Sequence, residues 1–280
     1  MLLLLFVSFV WAFSFGLIKG RLAGLDPAAV GAVRLAFALL VFLPFFRPAK
    51  LTRRALWGLA LLGAVQFGVM YVLYLRAFAH LQAFEVALFT IFTPLYVTLI
   101  DAALARRFEA RHILAAVLSV AGAGAVLWQA KVGGDVLTGF VLMQLSNLCF
   151  AAGQVAYKRV RPKLGAAVTD AELFAVLFIG ALAATVIASA WSTEWTAFRP
   201  DLEQWAVLAY LGVLSSGICF FAWNLGATRV NTGTLAAFNN AKVPLAVACS
   251  LVFFGESANV PRLLASLALL GAAVWVAEKR

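Results

Sequence analysis

The feature that most restricts this chain is a succession of apolar runs separated by short connections rich in charge, proline and glycine. A spanning helix needs about 20 mainly apolar residues, and breaks between spans fall where charge, proline and glycine cluster. The runs lie at 2–19, 28–46, 55–78, 83–102, 111–129, 136–157, 171–190, 204–227, 232–254 and 261–277. One such run could be the buried helix of a soluble protein. Ten in succession leave no polar face for water, so the expected fold is an all-α integral membrane protein with ten transmembrane helices. Composition agrees: 12% of the residues are charged, against about a quarter in soluble domains. The opening MLLLLFVSFVWAFSFG has neither the basic start nor the small-residue cleavage site of a signal peptide, and reads as the first span. Its abrupt beginning leaves open a longer native N-terminus.

The net charge of +10 has a membrane explanation rather than a nucleic-acid one, because the basic residues sit between the runs. One set of alternate connections holds Arg47, Lys50, Arg53, Arg54, Arg106, Arg107, Arg111, Lys158, Arg159, Arg161, Lys163, Arg229, Lys279 and Arg280, fourteen in all. The other set holds six: Lys19, Arg21, Arg76, Lys131, Arg199 and Arg262. The richer side is expected to be cytoplasmic, with both termini inside. Cys149, Cys219 and Cys249 are far apart inside apolar runs and read as small core residues, with no disulfide, metal or cofactor called for.

Shifting the chain by 150 residues lays Pro94 on Pro244, and Leu75, Ala77, Ala87, Leu95 and Val97 on Leu225, Ala227, Ala237, Leu245 and Val247. After a three-residue gap Glu109 meets Glu256, and GAGAVLW (122–128) resembles LLGAAVW (269–275). The expected organisation is two five-helix repeats, 1–130 and 131–280, in one membrane domain. Five spans is an odd number, so the repeats are inverted, an arrangement that typically places a substrate site near the midplane between halves. Pro94 and Pro244 fall mid-span and are candidate hinges, since each removes a backbone hydrogen bond.

This arrangement, with RLAFALL (34–40) in the second span, the paired prolines and FGE (254–256) ending the ninth, resembles the drug/metabolite transporter superfamily, EamA type. The aromatic-rich middle is most similar to the inner-membrane aromatic amino-acid exporters. The resemblance covers essentially the whole chain and implies a central cavity lined by the first, third, fourth, sixth, eighth and ninth helices. It also implies export by alternating access. The first half departs from the pattern, with RRFE (106–109) where FGE would stand.

Helical spacing selects the lining. In the sixth span Gln144, Asn147, Ala151, Gln154 and Lys158 form one polar stripe, read as a wet cavity wall in preference to helix–helix hydrogen bonding. Trp11 and Phe15 share a face of the first span with Ser8 and Ile18. Tyr71, Tyr74 and Phe78 repeat with Phe67 along the third, and Trp223 and Asn224 take related places in the eighth. Aromatic stripes often only pack a core, but a pocket is mostly apolar with a few polar groups. From Gly233 to Phe254 the only ionisable side chain besides Cys249 is Lys242. A mid-span lysine costs about 2.5–3.5 kcal/mol on insertion scales, so it must meet a cavity or a partner. Its candidate role is to bind a substrate carboxylate, with Asn239 beside it and Phe92 opposite by the repeat. The alternative is a bond to carbonyls freed by Pro244. Arg34, seven residues into the second span, is expected to snorkel toward the surface.

The leading expectation is therefore an exporter of small amphipathic metabolites, aromatic or hydrophobic amino acids first. A broad lipophilic-drug exporter is the alternative. An intramembrane enzyme is disfavoured by the absence of HExxH, His clusters or paired acids in the spans. A channel or scaffold would not need the repeat. ATP drive is not expected without GxxxxGK[ST]. The expected partners are a small-molecule substrate and the lipid bilayer, with no nucleic acid.

Overall fold

The computed structural model describes residues 1–22, 24–81, 83–127, 136–253 and 260–279, without the side chains of 15, 16, 19, 83, 84, 87, 126, 127, 246, 247 and 249–253; all its regular structure is helical. The helices are α1 (Leu2–Arg21), α2 (Pro27–Phe42), α3 (Arg53–Gly63), α4 (Met70–Ala77), α5 (Ala83–Thr90), α6 (Thr93–Ala105) and α7 (Ala110–Leu127). They continue as α8 (Val136–Val160), α9 (Asp170–Ser192), α10 (Leu202–Tyr210), α11 (Cys219–Ala227), α12 (Thr232–Phe253) and α13 (Val260–Glu278). Two π-helical segments, Ala64–Val69 and Leu211–Ile218, join α3 to α4 and α10 to α11. Among the described residues seven helical stretches are long and apolar enough to cross a membrane, and Leu2–Ser14 and Ala110–Ala125 add shorter apolar ones. The protein is multi-pass.

Local sequence sets where the helices begin. Asp26 accepts a hydrogen bond from the Ala29 N–H, with Pro27 at the first helical position. Thr169 with Glu172, and Asp201 with Gln204, form capping boxes at α9 and α10. The two prolines expected to be equivalent hinges behave differently. Pro244 lies inside the continuous α12. Pro94 does not kink a helix, because α5 ends at Thr90 and α6 begins afresh at Thr93. Pro94 thus occupies a first turn, where its missing N–H is no loss.

The helices approach each other closely at glycines. A Cβ on Gly63 would stand 1.9 Å from the Leu177 carbonyl oxygen, and one on Gly180 would stand 1.8 Å from that of Ala60, so α3 and α9 cross backbone to backbone. The crossings recur between the halves with roles exchanged. Gly63 faces Leu177 and Gly68 faces Ala181, while Gly212 faces the Arg34 backbone and Gly217 faces Ala38. Each π segment therefore packs against the second long helix of the other half.

Contacts sort the connections into two ends. At the basic end Lys50 pairs with Glu172 at 2.6 Å, Arg159 with Asp101 at 2.6 Å, and Arg111 donates to the Lys279 carbonyl at 2.6 Å. At the other end Arg21 pairs with Glu203 at 2.9 Å, and Thr193 hydrogen-bonds Asp26.

Candidate functional site

Between the helices lies a cavity of about 90 Å³. Trp11, Ser14 and Ile18 of α1 form one wall, and Met70, Tyr71 and Tyr74 of α4 face it. Thr90 and Thr93 flank the α5–α6 break, Ser146, Asn147 and Phe150 come from α8, and Ser215 and Phe220 from the second π segment and α11. Two cations complete it: Lys242 from α12 and Arg34 from α2. None of these lining residues is acidic.

The break between α5 and α6 is stabilised by amides. Such a break frees carbonyls that lipid could not satisfy. Here Asn147 and Gln144 donate to the Phe89 carbonyl at 2.8 and 3.3 Å, and Asn240 donates to that of Ile91 at 2.9 Å. Thr93 closes the turn by donating to the Thr90 carbonyl at 2.7 Å.

Of the residues singled out in the sequence, Trp11, Tyr71, Tyr74, Asn147 and Lys242 meet at this cavity. Phe78 lines instead a second cavity of about 760 Å³, which extends to Gly24, Asp26, Ser192 and Glu194 at the less basic end and shares Ile18 with the first. Phe92 caps the N-terminus of α6, its ring 6.5 Å from Phe140. The Phe15 side chain lies outside the described residues. Gln154, Trp223, Asn224 and Asn239 are buried and paired among themselves and with Gln66. Gln154 Oε1 accepts from Trp223 Nε1 at 2.9 Å and from Asn239 Nδ2 at 3.2 Å. Asn224 and Gln66 exchange two hydrogen bonds at 2.8 and 3.1 Å. Lys158 donates to the Val230 carbonyl at 2.7 Å. The polar stripe of α8 is thus mostly a helix–helix seam, with only Asn147 among the three amides reaching the cavity.

Lys242 is half-buried, its Nζ 5.7 Å from the centroid of the Trp11 ring. Among the described residues no carbonyl or carboxylate bonds to its ammonium. Trp11 is fixed by a 3.0 Å hydrogen bond to the Ser215 carbonyl and by Trp223, whose ring lies 5.0 Å away. Arg34 departs from the expected surface position: it is 2% exposed, donates to the Tyr71 hydroxyl at 2.8 Å, and lies with Cζ 4.6 Å from the centroid of that ring. Its sequence signal was a charge set seven residues into an apolar run, the same signal that marked Lys242.

The chain matches the profile of the EamA-like transporter family over residues 1–128 and again over 137–277. The chain belongs to this family. A Pseudomonas aeruginosa protein described as a "Probable biotin transporter" is 41% identical, over 98% of this chain and 96% of the relative. Proteins described as "Biotin transporter" from Salmonella typhimurium and Escherichia coli are each 38% identical, over 100% of this chain and 93% of the relative. A solved crystal structure superposes with a TM-score of 0.79 at 19% identity, covering 99% of this chain and 96% of that one, a likeness of fold. As an EamA-like protein the chain is a membrane transporter and not an enzyme. The lining follows the helix set that the family resemblance implied, with one addition, Arg34 from the second span.

Proposed function

We propose that this transporter carries biotin across a bacterial inner membrane, through the cavity between α1, α4, α8 and α12. The observation that carries the reading is the charge of the lining: two cations and no acid among aromatic walls. Biotin offers a single carboxylate on an apolar chain and a compact neutral bicycle. A zwitterionic amino acid would also bring an ammonium, which finds no carboxylate among the described lining residues. A lipophilic cation would meet Arg34 and Lys242 directly, and like charges in a low dielectric repel strongly. The relatives described as biotin transporters support the same choice over aromatic amino acids or drugs.

The working architecture is ten spans in two inverted five-helix repeats, 1–130 and 131–280, with both termini and the basic end cytoplasmic. The exchanged glycine crossings and the two family matches support the repeats. The inner cavity is well below the roughly 300 Å³ at which ligand pockets begin. The larger cavity adjoins it at the less basic end, so this conformation is contracted around the site and faces the periplasm. Alternating access then requires the basic end to open.

Proteoliposomes given labelled biotin, tryptophan or tetraphenylphosphonium test the choice. Saturable biotin movement that neither competitor suppresses is expected, and label placed on either side reads the direction. Movement of tryptophan or of the cation without biotin would reject the proposal.

A further inference from the structure

Arg34 is the most unusual charge in the molecule. Its guanidinium is almost wholly buried, and among the described residues its Nε and Nη1 have no hydrogen-bond partner. Among the described residues no carboxylate pairs with it. Removing a charge from water without a partner is strongly unfavourable, so packing alone does not account for an arginine here.

The fold itself shows what packing requires at this place. The crossing of Gly63 on the Leu177 carbonyl has its counterpart in Gly212 beside the Arg34 carbonyl. Four residues on, Ala181 faces Gly68 and Ala38 faces Gly217. Leu177 therefore occupies in α9 the place that Arg34 occupies in α2, and it is fully buried. An apolar side chain serves the scaffold there. The guanidinium is an addition in one half only, and it is the half whose α2 side chain borders the cavity.

Tyr71 aims the group. Its hydroxyl accepts from Nη2 at 2.8 Å and is itself within 2.9 Å of the Ser216 hydroxyl. One Nη2 N–H of the guanidinium is thereby held, while the buried Nε and Nη1 keep their N–H groups unpaired among the described residues. A planar, permanently charged donor fixed in this way suits a carboxylate better than a flexible ammonium does. Lys242, beside the Trp11 ring, adds positive potential to the same cavity.

We propose that Arg34 is the anion anchor of the site: its unpaired N–H groups bind the carboxylate of the transported molecule, and Tyr71 is the positioning residue. This rests on the cavity being the transport site, and its substrate class is an amphiphile bearing one carboxylate. The test compares Arg34→Leu, copied from the Leu177 position, with wild type. Each is titrated with biotin and with biotin methyl ester, and the melting temperature of the purified protein is recorded. Loss of a buried pairing partner predicts biotin binding weakened about thirtyfold or more, with ester binding unchanged. The variant should melt at or above the wild-type temperature, because an unpaired buried charge has gone. Arg34→Lys should regain part of the preference for biotin over the ester. Equal weakening of both ligands with a lower melting temperature, or no weakening of either, would overturn the proposal. Should wild type bind no biotin, the biotin reading fails. The anchor is then decided with octanoate and methyl octanoate: binding of the acid that Arg34→Leu abolishes supports it, and no binding of the acid by wild type rejects it.

Discussion

Lys242 and Arg34 share one cavity but are held differently, and their variants should separate. Lys242 borders the cavity near Trp11 without an ion pair among the described residues. Lys242→Met removes a charge that costs about 2.5–3.5 kcal/mol on insertion scales, so expression and melting temperature should hold or rise. Biotin affinity should fall about tenfold as a neighbouring cation is lost, while the preference for biotin over its methyl ester persists. Calorimetry with both ligands checks this, and loss of the preference in this variant would transfer the anchor from Arg34 to Lys242. Gln154 should act in the opposite way. Gln154→Leu strands the Trp223 indole N–H and leaves the Asn239 amide nitrogen only its bond to the Leu235 carbonyl, and an unsatisfied buried polar group costs about 1–3 kcal/mol. The melting temperature should drop while flux per folded molecule stays near wild type; a melting temperature equal to wild type would show that the hydrogen bonds contribute little. The two kinds of polar residue were equally visible in the sequence and unequally readable. A charge inside an apolar run announces that it needs a partner, but Asn and Gln can face water, a carbonyl or another amide with the same spacing. The spacing therefore located the α8 stripe but favoured a cavity wall over the helix–helix seam that most of it forms, and that choice depended on which helix lay opposite.

At the scale of elements, the apolar runs located the helices because bilayer thickness and backbone hydrogen bonding together leave little choice of length. The π segments were not legible, since neither AVQFGV nor LGVLSSGI carries a proline or a charge that would mark it. The break at Ile91–Phe92 is not legible either: in the sequence Pro94 marks a mid-span hinge candidate, whereas the chain uses it in the first turn of a new helix. Helix crossings are the structural counterpart of such hidden choices. Without a hydrophobic driving force between helices in lipid, close van der Waals approach is what joins them. The α3–α9 crossing allows no side chain at either glycine. Gly180→Leu would place a Cβ 1.8 Å from the Ala60 carbonyl oxygen, and because that neighbour is backbone, the helices must separate. The expected outcome is a loss of monodisperse protein in detergent, with Gly58→Leu, where nothing lies within 4 Å of a Cβ, as the tolerated control. Size-exclusion profiles of the two variants decide it, and equal profiles would show that the crossing can adapt.

The molecule as a whole is unlike at its two ends. At the less basic end the large cavity reaches the connecting segments. At the basic end, α6, α8 and α12 are tied together. Arg159 donates to Asp101 through Nε at 3.1 Å and through Nη2 at 2.6 Å. Thr232 at the start of α12 hydrogen-bonds the same carboxylate, and Lys158 reaches the Val230 carbonyl at 2.7 Å. Both side chains of the Arg159–Asp101 pair are partly exposed, so its contribution is modest, about 1 kcal/mol. That is still enough to change the balance of two conformations about fivefold, since transporters alternate between states of similar free energy. Arg159→Ala should therefore favour opening at the basic end. A reporter cysteine at Ser146, on the cavity wall, reads this on a background with Cys149, Cys219 and Cys249 replaced by alanine. An impermeant maleimide applied from the basic face should label the reporter about fivefold faster in the variant, and labelling from the opposite face should slow. Equal labelling from both faces in the two proteins would show that the tie only braces the helix ends. Faster labelling from both faces at once would mean that the variant loosens the bundle rather than shifting it between states.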